Sequence, residues 1–393
     1  NIYAFRNSDS RHMQSLITNY QARHYELCEN FRSRSNLVAF ANAFVNLIPH
    51  RMKHTPIQAH QLEKGSIRIT QYQSDNLIVP LIKDVLESPL AGTTGILTKT
   101  NEDAVFIACL LQEQGMPVRL VQTNSGNFYL GDLDEIRYFN RALDLSQDTH
   151  LIDDERWETA KRCLKREFGH AQSWEICRNI ILNFEQVYSR KYHSDWTNYL
   201  FESKLEDFYP VQGEAIVVST IHKAKGKEFD NVFLLLTNIE SLSDEKKREV
   251  YVAITRAKQN LSIHTNGHYL SNIANGLAEY RINSNTYPAP QSLCYTLTHR
   301  DLWLDFFIDS HCQAAINTLK SGMSLRLTEK GCTDFSNNEI LRFSKKFKDI
   351  LNELIQKDYK LEKASVNFVV YWEKQEDKKE AKIVLPKVVF KKV

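Results

Sequence analysis

From Tyr25 onward, short apolar runs of β type alternate with amphipathic helical segments, and this alternation constrains the fold more than any other feature of the chain. "HYELCENF" is followed by "SNLVAFANAFVNLI", in which Leu37, Phe40, Ala41 and Phe44 fall on one helical face. "SIRITQYQ" precedes "NLIVPLIKDVLES", "TGILTKT" precedes "EDAVFIACLLQEQG", and "PVRLV" follows. After a gap, "EAIVVST", "NVFLLL" and "LSIHTN" add three more strands, with "EKKREVYVAITRAK" as a helix between the last two. Strand and helix in alternation predict an α/β fold with a parallel, doubly wound sheet.

The gap, residues 133–210, has a different composition. It is rich in Trp, Tyr, Glu, Arg and Lys at helical spacing, which predicts an α-helical subdomain inserted into the α/β domain. "NSNTYPAP", Asn283 to Pro290, has the composition of a linker. Beyond it, residues 291–393 form a lysine-rich module ending in two β-type runs around "QEDKKE", which predicts a hairpin in a small α+β or β-rich module.

Composition narrows the class without naming a partner. The net charge of +2 is too small for a general nucleic-acid surface, so any such surface must come from local clustering. Seven scattered cysteines without a C-x-x-C pair argue for a reducing compartment, hence a cytoplasmic protein without a disulfide framework, and no metal site is expected. No apolar run is long enough to span a bilayer, so no membrane association is expected.

Chemistry concentrates in three stretches. "STIHKAKGKEF" packs His222, three lysines, Gly226 and Glu228 between two apolar runs. A parallel sheet offers functional groups at the carboxyl ends of its strands, where Ser219, Thr220 and His222 suit phosphate oxygens. Glu228 suits paired sugar hydroxyls. "NFRS" follows the first strand and opens a helix, with Phe31 as a stacking face and Arg32 as a fork for phosphate. In "REVYVAITRAK", Arg256 follows a buried apolar run and is held where an arginine finger would act. Each stretch alone also reads as an ordinary polar loop, an N-capped strand end or a solvated charge.

Their order and spacing are more specific. "NFRS", "TIHKAKGKEFDNVFL" and "YVAITRAK" together resemble motifs IV, V and VI of UvrD/Rep-type superfamily 1 DNA helicases, in the second RecA-like domain, known as 2A. The opening "NIYAFR" resembles the tail of motif III. The resemblance implies that residues 1–20 are a remnant of the first RecA-like domain, and that 21–132 with 211–281 form the second. The helical insertion then stands where the family carries its 2B subdomain. It further implies that Phe31 stacks on adenine, that Arg32 and Arg256 reach the γ-phosphate of ATP, and that Glu228 binds the ribose. Thr220 and His222 would contact single-stranded DNA, with Tyr3, Phe5 and Arg6 bracing its bases.

Some positions depart from the family pattern: Asn7-Ser8 stands where Gly-Ala is common, and Lys227 and Glu249 stand where apolar residues are usual. The sequence has no G-x-x-x-x-G-K-[ST], and "LIDDERW" follows the motif III remnant instead of preceding it, so Asp153 and Asp154 read as acids at a helix start. The expected protein is the C-terminal part of an ATP-dependent, 3′–5′ helicase or translocase, a nucleotide hydrolase of DNA repair type. Its partners would be single-stranded DNA, duplex junctions and its own N-terminal helicase domain, the missing half that holds Mg2+; the fragment alone would be inactive. The alternatives are a non-catalytic helicase-like scaffold subunit of a repair or nuclease complex, and an RNA-directed motor.

Overall fold

The computed structural model describes residues 11–393 except 24, 50–52, 54, 122–128, 145–149, 210–214, 238–242, 275 and 309–310. The chain opens with α1 (Arg11–Tyr20), β1 (Glu29–Arg34), α2 (Ser35–Val45), β2 (Gln58–Gln61) and β3 (Ser66–Tyr72). Next come α3 (Ile78–Glu87), β4 (Thr94–Thr98), α4 (Asn101–Glu113) and β5 (Val118–Val121). A helical stretch follows: α5 (Asp134–Ala142), β6 (Leu151–Ile152), α6 (Asp154–Phe168), α7 (Trp174–Val187), β7 (Lys191–Tyr192) and α8 (His193–Glu202). The chain then returns to strands with β8 (Ile216–Thr220), β9 (Phe229–Leu236), α9 (Asp244–Ile254), β10 (Ala257–Thr265), α10 (Ser271–Ala274) and β11 (Glu279–Asn283). The last part holds β12 (Ser292–Thr296), α11 (Asp305–Ile308), α12 (Cys312–Ile316), β13 (Ser324–Leu327), β14 (Gly331–Thr333) and β15 (Glu339–Arg342). It closes with α13 (Lys345–Gln356), β16 (Tyr359–Glu373) and β17 (Glu380–Lys392).

These elements form two compact units, residues 1–122 with 212–290 and residues 123–211 with 291–393. The first unit is built on a seven-stranded sheet in the order β11-β3-β10-β9-β4-β8-β5, parallel at every pairing. Strand periodicity divides its core into two layers. Val232, Leu234 and Leu236 of β9 face α2, α9 and α10, where Leu37, Phe40, Phe44, Val250 and Ala253 pack. Phe233 and Leu235 face α3 and α4, meeting Leu81, Val85, Ala104 and Ile107. Leu37, Phe40, Ala41 and Phe44 are all buried, so the helical face read from the sequence is the one that packs.

The second unit joins the helical stretch to a six-stranded antiparallel sheet, ordered β12-β17-β16-β13-β14-β15. Its longest ladder is the expected hairpin, paired from Tyr359–Lys392 to Glu373–Glu380. The helices close around Trp157 and Trp196, both fully buried, whose indole N–H groups donate to Glu185 Oε1 (2.7 Å) and Asn140 Oδ1 (2.8 Å). Burying an indole is favourable only when that N–H finds an acceptor, and both do. Asp153 caps α6, accepting from the backbone N–H of Arg156 at 2.8 Å, so "LIDDERW" is a helix start.

Helices and sheet are joined by polar contacts as well as apolar ones. Arg137 of α5 pairs with Glu380 at 2.9 Å. The backbone N–H of Gln172 donates to Ser321 at 3.0 Å, and the Ser321 hydroxyl donates to Ser173 Oγ at 2.7 Å. The Ser173 hydroxyl in turn donates to Glu135. Glu135 is buried, and its second carboxyl oxygen finds no hydrogen-bond partner among the described residues. Burial pushes its carboxyl pKa up, with Asp134 adding to the shift and the Ser173 hydroxyl, its own backbone and Lys320 opposing it.

The raised group favours the fold in its neutral form. Its stabilisation is complete below the unfolded carboxyl pKa and is lost as pH rises through the folded one. Glu135→Gln keeps the hydrogen bond from Ser173 and removes the titration. Thermal unfolding from pH 4 to pH 8 should show wild type losing stability relative to Glu135→Gln as pH rises; parallel curves would contradict the assignment.

Candidate nucleotide and strand site

The site begins with topology. Strands β8 and β9 both pair with β4 in parallel, so the chain must return from the carboxyl end of β8 to the amino end of β9 in residues 221–228. It does so in a compact turn: Thr220 O accepts from the N–H groups of Lys223 and Ala224, and Ala224 O accepts from Lys227 N–H. Gly226 sits at φ +86°, a conformation that favours glycine. Ile221 and Ala224 are buried in the core layer that also holds Val250, Ala253 and Ile254, so the return segment lies against α9.

This return separates the candidate residues into two groups. Thr220 and His222 lie at the carboxyl end of β8. Thr220 is buried. The Ser219 hydroxyl is also buried and donates to Thr220 O at 3.0 Å, so it is directed into the protein and not toward a phosphate. Nε2 of the half-buried His222 stands 3.2 Å from Oε1 of Glu249. The Glu249 carboxylate thus stands against His222, a contact that nothing in the sequence pairs with that residue.

Arg32, Glu228 and Arg256 gather at the amino ends of β9 and β10, and not at the carboxyl end where the doubly wound rule points. The reason is local. "NFRS" lies within β1 instead of following it, and α2 begins only at Ser35. Ser33 and Ser35 do not cap that helix, whose N-cap residue is Arg34 without a side-chain bond. The buried Ser33 hydroxyl donates to Ala257 O at 2.8 Å, fixing β1 beside the start of β10. The Asn30 side chain accepts from the N–H groups of Arg32 (2.9 Å) and Ser33 (2.8 Å), which sets the backbone that aims Arg32. Helix α9 ends at Ile254, so Arg256 stands in the turn between α9 and β10.

Arg32 forms an ion pair with Glu228 and donates from Nη1 to Thr255 O at 3.5 Å. Arg256 touches the same threonine, donating from Nη2 to Thr255 Oγ1 at 3.2 Å. Its Nε donates to Val252 O at 2.9 Å and its Nη1 to Lys227 O at 3.1 Å. Burial lowers the Arg256 pKa, the charge of Arg32 lowers it further, and Glu228 opposes both. Two guanidinium groups therefore meet at Thr255 with one carboxylate, paired to Arg32, leaving the edge locally electropositive. Phe31, next to Arg32 in β1, is 61% exposed, with the His60 ring 4.5 Å from its own at 40°.

The sequence pattern does not reveal the brace beneath this cluster. Burial would raise the Asp230 carboxyl pKa, but hydrogen bonds from the backbone and hydroxyl of Thr93 and from Lys258 hold it down at about 2. The Lys258 ammonium lies 3.0 Å away and Gln259 donates to the same carboxylate, so Asp230 ties the starts of β9 and β10 to the loop before β4. Adjacent Asp and Lys residues in two motifs were the available signal. Tyr3, Phe5 and Arg6 lie outside the described residues.

A family model for the UvrD-like helicase C-terminal domain matches residues 25–150 and 196–267. Among solved structures, the chain is similar to the C-terminal domain of a possible DNA helicase from Lactobacillus plantarum WCFS1. The identity is 14% and the TM-score 0.31, over 65% of this chain and 99% of that one. It is also similar to the arterivirus nonstructural protein 10 helicase, at 14% identity and a TM-score of 0.14, over 57% of this chain and 67% of that one. No curated protein matches the chain.

Removing the Ser33 hydroxyl should unseat β1, because a buried hydrogen bond is lost. Ser33→Ala is expected to cost about 1–2 kcal/mol in denaturant unfolding. A change below a few tenths would show that the Ala257 contact does not hold the strand.

Proposed function

The chain belongs to the family of UvrD-like helicase C-terminal domains, and on that premise we propose that it is the C-terminal part of an ATP-dependent DNA helicase or translocase. The observation that carries this reading is the Arg32–Glu228–Arg256 cluster: two cations and one anion gathered at Thr255, with the exposed Phe31 next to Arg32 in sequence. In this reading Phe31 stacks on the adenine, Glu228 accepts from the ribose hydroxyls, and Arg32 and Arg256 reach the γ-phosphate. The N-terminal helicase domain of the same protein would hold Mg2+, which supplies charge neutralisation for the phosphates.

The described geometry fits a resting state. The side chains of Arg32 and Glu228 are each 37% exposed, and such a pair is worth only about 0–1 kcal/mol. Exchange of that partner for a polyphosphate costs little, since one charge-assisted contact of the guanidinium is replaced by another. Arg256 is held more firmly, with Nε, Nη1 and Nη2 all donating to protein oxygens. It must release Lys227 O to turn outward. Nucleotide binding thus exchanges the ion pair for contacts at the two ends of ATP, and hydrolysis reverses the exchange.

Thr220 and His222, at the opposite edge, would touch the backbone of single-stranded DNA. The cycle of arginine engagement and release would step them along the strand, in the 3′–5′ direction by analogy with the family. The motion is driven by the nucleotide's different contacts with the two states.

Arg256→Ala in the intact protein is expected to cut ATP turnover by about 10³-fold or more, the scale of an arginine finger. Nucleotide affinity, measured by calorimetry, should weaken far less. Equal losses in both would contradict the finger role.

A further inference from the structure

We propose that Glu249 is a positioning residue that ties the strand contact of His222 to the helix leading to Arg256. The inference rests on the reading of His222 as a DNA contact. Three observations carry it.

The first is the pair itself. The Glu249 carboxylate, with its side chain 15% exposed, stands 3.2 Å from His222 Nε2. A largely buried carboxylate is costly unless it is paired, and an apolar side chain would fill the position at less cost. Near a nucleic-acid strand an unpaired carboxylate would also repel phosphate. The acid is therefore accounted for by its partner. With Glu249 Oε1 3.2 Å from Nε2, that edge of the imidazole faces α9.

The second is the attachment of the return segment at its other end, where Arg256 donates to Lys227 O at 3.1 Å. Glu249 lies within α9 and Arg256 in the turn beyond its last residue, Ile254, so the two attachments are more than a helical turn apart. The segment carrying His222 is thus fastened to α9 and its terminal turn at two separate points.

The third is the packing between those points. Ile221 and Ala224 are buried with Val250, Ala253 and Ile254. Segment and helix therefore move as one body, because close-packed apolar contacts resist sliding. A displacement of α9 when Arg256 exchanges Lys227 O for a phosphate reaches His222 through Glu249.

The test uses the intact protein and a fluorescein-labelled oligothymidylate, with binding followed by anisotropy with and without a non-hydrolysable ATP analogue. The ratio of the two affinities is the coupling between the sites. Glu249→Leu should weaken strand binding about 5-fold to 10-fold and bring the ratio close to one. Glu249→Gln, which keeps a polar side chain of the same size beside Nε2, should retain most of both. His222→Ala combined with Glu249→Leu should bind no more weakly than His222→Ala alone, because the two act as a unit.

Wild-type protein that binds no oligonucleotide would remove the reading of His222 on which the proposal stands. Wild-type binding with a nucleotide response, but additive losses in the double variant or a Glu249→Leu ratio like that of wild type, would overturn the proposal alone. Equal damage from Leu and Gln, with a matching fall in the unfolding midpoint, would also overturn it, since that is the signature of a purely structural residue.

Discussion

Two guanidinium groups brought together at Thr255, one of them paired with Glu228, are the constraint from which the rest of the site follows. Arg32 and Arg256 come from β1 and from the turn after α9, and both touch Thr255. Like charges this close are tolerated because Glu228 pairs with one of them and backbone carbonyls take the donors of the other. The balance is incomplete, with two positive charges and one negative, and a polyanion would complete it. The Ser33–Ala257 hydrogen bond and the Asp230 network hold the strand ends where this imbalance is maintained.

Parallel topology then separates the two proposed activities. Because β8 and β9 run the same way on either side of β4, the chain between them must cross the sheet from one edge to the other. The segment 221–228 therefore begins beside Thr220 and His222 and ends beside Glu228 and Arg256. Helix α9 makes the same journey between β9 and β10 and packs against that segment. Two adjacent crossovers in one core layer thus run between the edge proposed for phosphate and the edge proposed for the strand.

Much of this was legible in the sequence because the signals were local. Periodicity gave six of the seven strands of the parallel sheet, missing the edge strand β11, and Leu37, Phe40, Ala41 and Phe44 pack as their spacing requires. The "QEDKKE" turn and the capping Asp153 behave as their chemistry dictates. What was not legible depends on pairing across distance. "NFRS" reads as a strand end, yet it is held inside β1 by a hydrogen bond spanning 224 residues of sequence. The arginines lie at the amino ends of β9 and β10, an outcome of strand order that no single motif contains. The packing of the helical stretch with the C-terminal sheet rests on contacts such as Arg137–Glu380, and Glu249 acquires meaning only once His222 is seen beside it.

The most direct measurement is a crystal structure of the intact protein with a non-hydrolysable ATP analogue. The account predicts that the Arg32–Glu228 pair is open and that both guanidinium groups lie within hydrogen-bond distance of γ-phosphate oxygens, with the adenine against Phe31. A triphosphate bound elsewhere, or bound while Arg32 stays on Glu228 and Arg256 stays on Lys227 O, would contradict it.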